Sequence, residues 1–558
     1  MSIFSIGISG LSAAQTALNT TSNNISNVYT PGYNREIAVL ENTVGTGGTR
    51  VNSVDRQFNR FTANQLNEAS SSLTFFDTYE VQVTQIDNLL ADQDAGLSSL
   101  MQDFFAAVSD LSSTPSDPAS RQGVVGAANT LTSQFQSVDA YLEDMHRGIN
   151  TQIDAEVDLV NNTAELLAKL NKEISVSRAK TGDEPNALLN QRDQLVAELS
   201  QSLNVRVFVQ DGDAYSVTIG NGQPLVSGQQ SFKLSAINSS ADPTRRVIGY
   251  QDAAANTLEL AEDSIDAGKL GGLMKFRSET LDATRDRIGH LAASLASEFN
   301  SQHAEGVDIN GLPGLDFFSI GEPTVLRDER NSGAAFFVDA AYGNTRELTG
   351  VSYDLRVADT APPAPDVALF TVTRSDGQGS FTAALDGANQ MTIDGVVLTL
   401  DDPADLVVGD HFALQPTRSV AANFGTEIQD VSLVAAAEAG GATGDNRNAL
   451  KLQDIQNALI VGPGGSSIPP DTIGTSTIGQ GYASIVADVG NRSNITQINK
   501  AAQQGITEQI RNLQQSESGV NLDEEAANLV RYQQFYQANA RIIDVGTTVI
   551  DTLLGLRG

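Results

Sequence analysis

The two ends of this 558-residue chain carry matching apolar rows, and that symmetry restricts the fold more than any other feature. Near the start, Phe4, Leu11, Leu18 and Ile25 recur every seven residues; near the finish, Leu522, Leu529, Tyr536, Ile543 and Ile550 do the same. A second row runs beside each: Gly7, Ala14, Thr21 and Val28 at one end, Ala526, Gln533, Ala540, Thr547 and Leu554 at the other. A seam of that period is what a helix shows when it lies along another helix in a supercoil. Chain ends are ordinarily loose and polar. Here they read as helices, but Gly, Thr and Gln interrupt the rows, so an isolated pair would be marginal. Small residues such as Ala13, Ala17, Ala527 and Ala538 permit close packing of many helices. The leading rows are therefore the expected assembly seam.

Between the ends the pattern changes several times. Residues 2–28 form the first expected helix, ended by Thr30-Pro31-Gly32-Tyr33, where Pro-Gly suits the middle of a type II turn. Asn42 to Thr49 reads as a loop. Residues 57–203 are helical in pattern, with Ser116 ahead of Asp117-Pro118 as an expected N-cap. From Val205 the period switches to two, with turn signals at Asp211-Gly212-Asp213 and Asn221-Gly222. A helix is expected over 263–302. Short alternating runs separated by turns then occupy 305–425. Helical pattern returns at 426–439 and 445–459, and Gly462-Pro463-Gly464-Gly465-Ser466-Ser467 reads as a flexible loop. The helix of 477–517 stops at Ser518-Gly519, with Gly519 suited to a C′ position. Asn521 then caps the last helix, and Glu524 three residues on completes a capping-box pattern.

The expected organisation is an N-terminal assembly helix (1–45), a helical body (46–203), a small β-rich insertion (204–262), a helix returning to the body (263–304), an outer β domain (305–425), the C-terminal part of the body (426–518) and a C-terminal assembly helix (519–558). The fold class is α+β multidomain, with long terminal helices forming a coiled coil and helical bundle and β-rich domains inserted between them.

Composition removes several functions. Sixty-eight acids against 34 bases give a net charge of −34, which disfavours nucleic acid and anionic membrane surfaces. There is no cysteine, hence no disulfide, thiolate metal site or Cys nucleophile. No apolar run reaches the roughly 18 residues of a membrane span. The N-terminus lacks the features of a secretory signal, which taken alone reads as cytoplasmic. His146, His290, His303 and His411 lie far apart, without metal-ligand spacing. Gly7-Ile8-Ser9-Gly10 is no nucleophile elbow, and Gly462-Pro463-Gly464-Gly465 lacks the Lys of a phosphate loop. No catalytic, metal or cofactor-binding residue is expected, and the chain reads as a non-enzyme.

Gly10-Leu11-Ser12-Ala13-Ala14-Gln15, then Asn23-Asn24-Ile25-Ser26-Asn27 and Thr30-Pro31-Gly32-Tyr33, resembles the start of bacterial flagellar rod, hook and hook-associated proteins. The continuation into Asn34-Arg35 looks like the hook-associated protein 1 branch of that family. At the other end, Ser518 to Ala526, with Asn521, Leu522, Glu524 and Glu525, and Tyr532 to Arg541 are similar to that branch's closing helix. The resemblance implies a structural subunit at the hook–filament junction, assembling as a ring on the distal hook. Its implied partners are the hook protein, hook-associated protein 3, copies of itself, and an export chaperone on the C-terminal helix. It implies an extracellular place in the flagellum, reached through the flagellar type III system without a cleaved signal, and this overrides the cytoplasmic reading. The free monomer's ends would be largely disordered and would pair on docking. The alternatives are another axial protein (a hook or distal-rod subunit), or an extracellular carbohydrate-binding or hydrolytic protein using residues 305–425.

Overall fold

The structure, a computed structural model, describes residues 3–43, 47–91, 96–210, 212–252, 256–360, 368–442, 444–462 and 474–556. Helix α1 (Ile3–Ser26) opens the chain. The stretch expected as a loop, Asn42 to Thr49, joins the two strands of an antiparallel hairpin, β1 (Glu36–Asn42) and β2 (Thr49–Arg56). Most side chains of both strands stay at least partly exposed, so no apolar alternation announces them.

The helical body follows with α2 (Arg60–Leu90), α3 (Leu97–Ser113), α4 (Pro118–Thr181) and α5 (Asn186–Ser202). The cap of α4 is Asp117 rather than Ser116: its carboxylate accepts from Ala119 N–H at 3.3 Å, and Pro118 is the first helical residue. At 64 residues α4 is the spine of the molecule, roughly 96 Å long at 1.5 Å per residue. It ends at Gly182, whose φ of 74° is left-handed.

Two small sheets lie against this spine. One runs β3-β4-β5-β6 (Val205–Val209, Tyr215–Ile219, Pro224–Ser227, Gln230–Ser231) and the other β7-β8-β9 (Leu234–Asn238, Arg246–Gln251, Thr257–Glu259). Asn171 of α4 fastens the first by donating to Tyr215 O at 2.9 Å and accepting from Tyr215 N–H. The chain returns through α6 (Gly268–Phe276), a π-turn (Arg277–Leu281) and α7 (Asp282–Ala304).

The outer β region comprises β10 (Gly306–Val307), β11 (Phe318–Ser319), β12 (Thr324–Arg327), β13 (Phe337–Tyr342), β14 (Tyr353–Asp359), β15 (Leu369–Arg374), β16 (Ser380–Ala384), β17 (Gln390–Ile393), β18 (Val396–Leu400), β19 (His411–Gln415), β20 (Gly425–Thr426) and β21 (Ala437–Glu438). Its main sheet has the order β12-β19-β14-β15-β16, beside a smaller β13-β18-β17. The helix expected over 426–439 does not form. Strand β20 pairs with β11, β21 pairs with β10, and a short 3-10 turn lies between. The Arg121 guanidinium takes the carbonyls of Val431 and Val434 at 3.2 and 2.7 Å, which a helix would need for itself. The expected boundary at residue 425 therefore falls inside β20.

Helices α8 (Arg447–Asp454), α9 (Ile478–Ser518) and α10 (Leu522–Gly555) complete the chain. The expected loop is described only at Gly462; Pro463 to Ser467 lie outside the described residues. Gly519 ends α9 with φ −78°, so the left-handed C′ role expected for it is not the reason for glycine. A Cβ there would sit 2.3 Å from the Gln515 carbonyl. Asn521 caps α10 by accepting from Asp523 and Glu524 N–H at 2.9 and 3.4 Å, but the Glu524 carboxylate does not close the expected box. It takes the Arg35 guanidinium instead, at 2.8 Å.

One buried apolar core runs from Tyr79 to Val489. Its densest part is aromatic: Phe104 of α3, Phe299 of α7, Phe317 and Phe318 meet with ring centroids 4.9–6.4 Å apart. Phe424 extends it from Phe318 to Phe135 of α4. This cluster seats the outer β region on the helices.

His303 closes that cluster as a neutral ring, donating from Nδ1 to Leu315 O at 2.6 Å and accepting at Nε2 from Ala435 N–H at 2.8 Å. Burial pushes both His303 and His290 down to about 4, with Arg287 adding to the effect at His290. A base with a lowered folded value binds protons more readily when unfolded, so stability rises with pH between about 4 and 6.5. Each ring accounts for on the order of 3 kcal/mol across that window. Asp139 and Asp394, which burial raises, act oppositely at its acid end. The melting temperature is expected to be level above about pH 6.5 and to fall most steeply between about pH 6 and 5. A calorimetric profile that stays level through that range contradicts the assignment.

Candidate assembly site

Past Val489 the core stops, and α2 and α9 continue together as an antiparallel pair joined by polar contacts. Lys500 meets Asp77 and Glu80 at 2.6 and 2.8 Å, Gln503 donates to Ala69 O, and Glu517 takes Asn59 and Thr62. This stalk delivers the chain to the two terminal helices.

Helices α1 and α10 pair antiparallel. Asn24 meets Glu525, Gly10 lies under Asn539, Gly7 packs on Ile543, and Ile3 and Phe4 close on Gly546. The tightly buried positions are small or polar. On α1 they are Gly7, Gly10, Ala13, Ala14, Ala17, Thr20, Thr21 and Asn24; on α10 they are Glu525, Asn539 and Gly546. The backbones approach closely because Gly10 has no side chain: a Cβ there would fall 2.1 Å from Asn539 Oδ1.

The apolar leading rows flank this seam. Phe4, Leu11, Leu18, Ile25, Leu529, Tyr536 and Ile543 are half-buried, while Leu522 and Ile550 are each 43% exposed. Val530, Val545, Val549, Leu553 and Leu554 of α10 face solvent as well. The pair thus spends its small side chains on itself and leaves large apolar ones partly uncovered.

The motif residues converge on one polar cluster at the base of the pair. Asn24, 1% exposed, uses both ends of its amide: Nδ2 donates to Glu36 O at 2.8 Å and Glu525 Oε2 at 3.2 Å, and Oδ1 accepts from Tyr33 O–H at 2.8 Å and Glu36 N–H at 2.9 Å. Arg35 donates from Nε to Glu525 Oε1 at 2.7 Å, and its N–H donates to Ser518 O at 2.9 Å. Burial, then the carboxylates of Glu36 and Glu525, push the Tyr33 phenol up and keep it neutral.

Gly32, at φ 75°, fits the third position of the type II turn, and Tyr33 N–H returns to Thr30 O at 3.2 Å. Asn27 donates to Asn23 O at 3.0 Å and accepts from Thr30 O–H at 3.0 Å, fastening the turn to the helix end. Asn23, Asn27, Thr30 and Pro31 also wall a cleft of about 660 Å³ opposite Leu166, Leu170 and Leu195.

Sequence reasoning missed three participants: Arg35 and Glu525 as partners, and Asn539 as the residue filling the Gly10 notch. No local signal links residues 490 apart. The series Glu525, Tyr532, Asn539, Gly546 does repeat every seven, but it is not apolar and so escapes a hydrophobic pattern. Among the described residues no group of three or more His, Asp or Glu could hold a metal, and no helix is long and apolar enough to cross a membrane.

Family models match the chain in three places. The flagellar hook-associated protein FlgK helical domain matches residues 83–318, the flagella basal body rod protein 4–34, and the flagellar basal body rod FlgEFG protein C-terminal 514–556. Flagellar hook-associated protein 1 of Escherichia coli is 39% identical and that of Salmonella typhimurium 37%, each alignment covering the whole of both chains. That of Bacillus subtilis is 22% identical over 98% of this chain and 96% of its own. The flagellar hook junction protein FlgK from Burkholderia pseudomallei has a similar structure, with a TM-score of 0.73 and 26% identity over 81% of this chain and all of its own.

Proposed function

The chain belongs to the flagellar hook-associated protein 1 family, and we propose that it is a structural subunit of the hook–filament junction, assembling as a ring on the distal hook through α1 and α10. The observation that carries this reading is the division of labour in the terminal pair. Small and polar residues hold the two helices together, and large apolar residues remain for neighbours to cover. Covering the part of a large seam side chain that is still exposed contributes on the order of 1 kcal/mol, offset by the entropy of ordering the segment. The paired helices would line the axial channel, with the outer β region directed away from it.

The neighbours are copies of the same chain around the ring, the hook protein below and hook-associated protein 3 above. An export chaperone would cover α10 before the chain leaves the cell through the flagellar type III channel. The test is electron microscopy of cells lacking this chain: hooks without filaments are expected, with filaments restored by the full-length chain. Normal filaments in its absence would sink the proposal. Hooks that fail to form at all would point to the runner-up, a hook or distal-rod subunit.

A further inference from the structure

The small-residue seam of the terminal pair is nearly periodic, and periodicity leaves its register open. Gly7, Ala14 and Thr21 repeat every seven residues, as do Gly10, Ala17 and Asn24, so sliding α10 by one heptad would again set small residues against it. We propose that Asn24, Arg35, Glu525 and Asn539 are the residues that determine this register. The inference rests on the proposed function, because register matters only if the pair joins an assembly.

Two polar pins carry the argument. At the base, buried Glu525 is held by Asn24 Nδ2 at 3.2 Å and Arg35 Nε at 2.7 Å. Near the tip, Asn539, also buried, occupies the notch over Gly10 and donates to its own helix at Phe535 O, 2.9 Å away. A slip of seven in one direction sets Asn539 against Ala17, whose methyl fills the space that Gly10 leaves. A slip the other way sets Glu525 against Ala17 and carries it about 10 Å from Arg35. Each slip strands a buried polar or charged group, a penalty that an apolar seam of this period would not impose. The pins also fix how far α10 projects: beyond Gly546 it runs on to Gly555, with Val549, Ile550, Leu553 and Leu554 exposed. A slipped chain would present that apolar tip a heptad too high or too low to neighbours in the ring.

The chain has no cysteine, so introduced pairs report register without background. Thr21→Cys with Asn528→Cys joins two residues that wall one cleft, whereas Thr21→Cys with Phe535→Cys can cross-link only after the slip that sets Asn539 against Ala17. In flagella sheared from cells carrying the full-length chain, the first pair alone is expected to cross-link. Adding Glu525→Ala or Asn539→Ala should raise the second cross-link about fivefold or more. The milder Glu525→Gln and Asn539→Ser serve if the alanine chains fail to reach the flagellum. Exclusive cross-linking of the first pair in every pin variant overturns the inference, and so does cross-linking of both pairs with the pins intact. Neither result touches the proposed function, whose failure is read separately as normal filaments in cells without the chain.

Discussion

A chain ending at Gly519 is expected to fold, to melt within about 3 °C of the full-length chain, and to leave cells with hooks that carry no filament. The reason lies in where the core stops. Every residue of the continuous buried core falls between Tyr79 and Val489, and α10 packs on α1 rather than on the body. Removing α10 uncovers Gly7, Gly10, Asn24 and part of Ile3 and Phe4 on α1, a small apolar area beside that of the body's core, and α1 keeps its packing on β1 and β2. Assembly should fail completely, because the exposed apolar residues of α10 go with it and α1 loses its partner. Calorimetry and electron microscopy check the two halves. A fall of more than about 10 °C would make the terminal pair part of the monomer's core, and filaments on hooks built with the truncated chain would remove it from assembly.

Phe299→Ala should have the largest effect on stability of any single change in the body. The ring is 1% exposed and touches Phe104, Phe317, Phe318 and His303, so it holds α7 to both α3 and β11. Replacing a buried Phe by Ala costs about 3–5 kcal/mol, the transfer term plus an incompletely collapsed cavity. The loss is expected in the transition that reports the outer β region and α7 together, seen as a downward shift of several degrees by calorimetry. The chain should nevertheless keep its terminal helices, so a variant rescued at low temperature should still support filaments. A shift of under about 1 °C would mean the cluster is not what holds the outer region in place.

The terminal helices, the long body and the hairpins after Val205 were legible because their periods of seven, 3.6 and two persist over many residues. Three other features were not. The β1–β2 hairpin keeps much of both faces exposed, so its strands carry no apolar alternation. The run from Val431 to Ala437 is short, mostly apolar and buried from Val434 on, and such a run suits a helix as well as an extended segment until a partner is seen. Arg121, more than 300 residues upstream, takes its carbonyls and decides the matter. The capping-box pattern at Asn521 and Glu524 was half right for a similar reason: a distant Arg35 took the carboxylate from the helix end. At the assembly site the apolar rows were readable, but the polar residues that join the two ends were not, because their spacing in sequence says nothing of their meeting in space.

Asn24 and Glu525 are bonded across 501 residues, and that separation sets an order of events. At about 5–20 residues per second, a ribosome needs roughly 25–100 s to travel between them. For that interval α1 has been made and its partner does not exist. Closing a flexible loop of that length would cost about 5 kcal/mol in its length-dependent part alone, more than a marginal helix pair can supply. The folded body removes most of this cost, because α9 returns the chain until Ser518 O accepts from Arg35 N–H at 2.9 Å, directly beside the start of α10. The ends therefore meet last, and only in a molecule whose middle is already built.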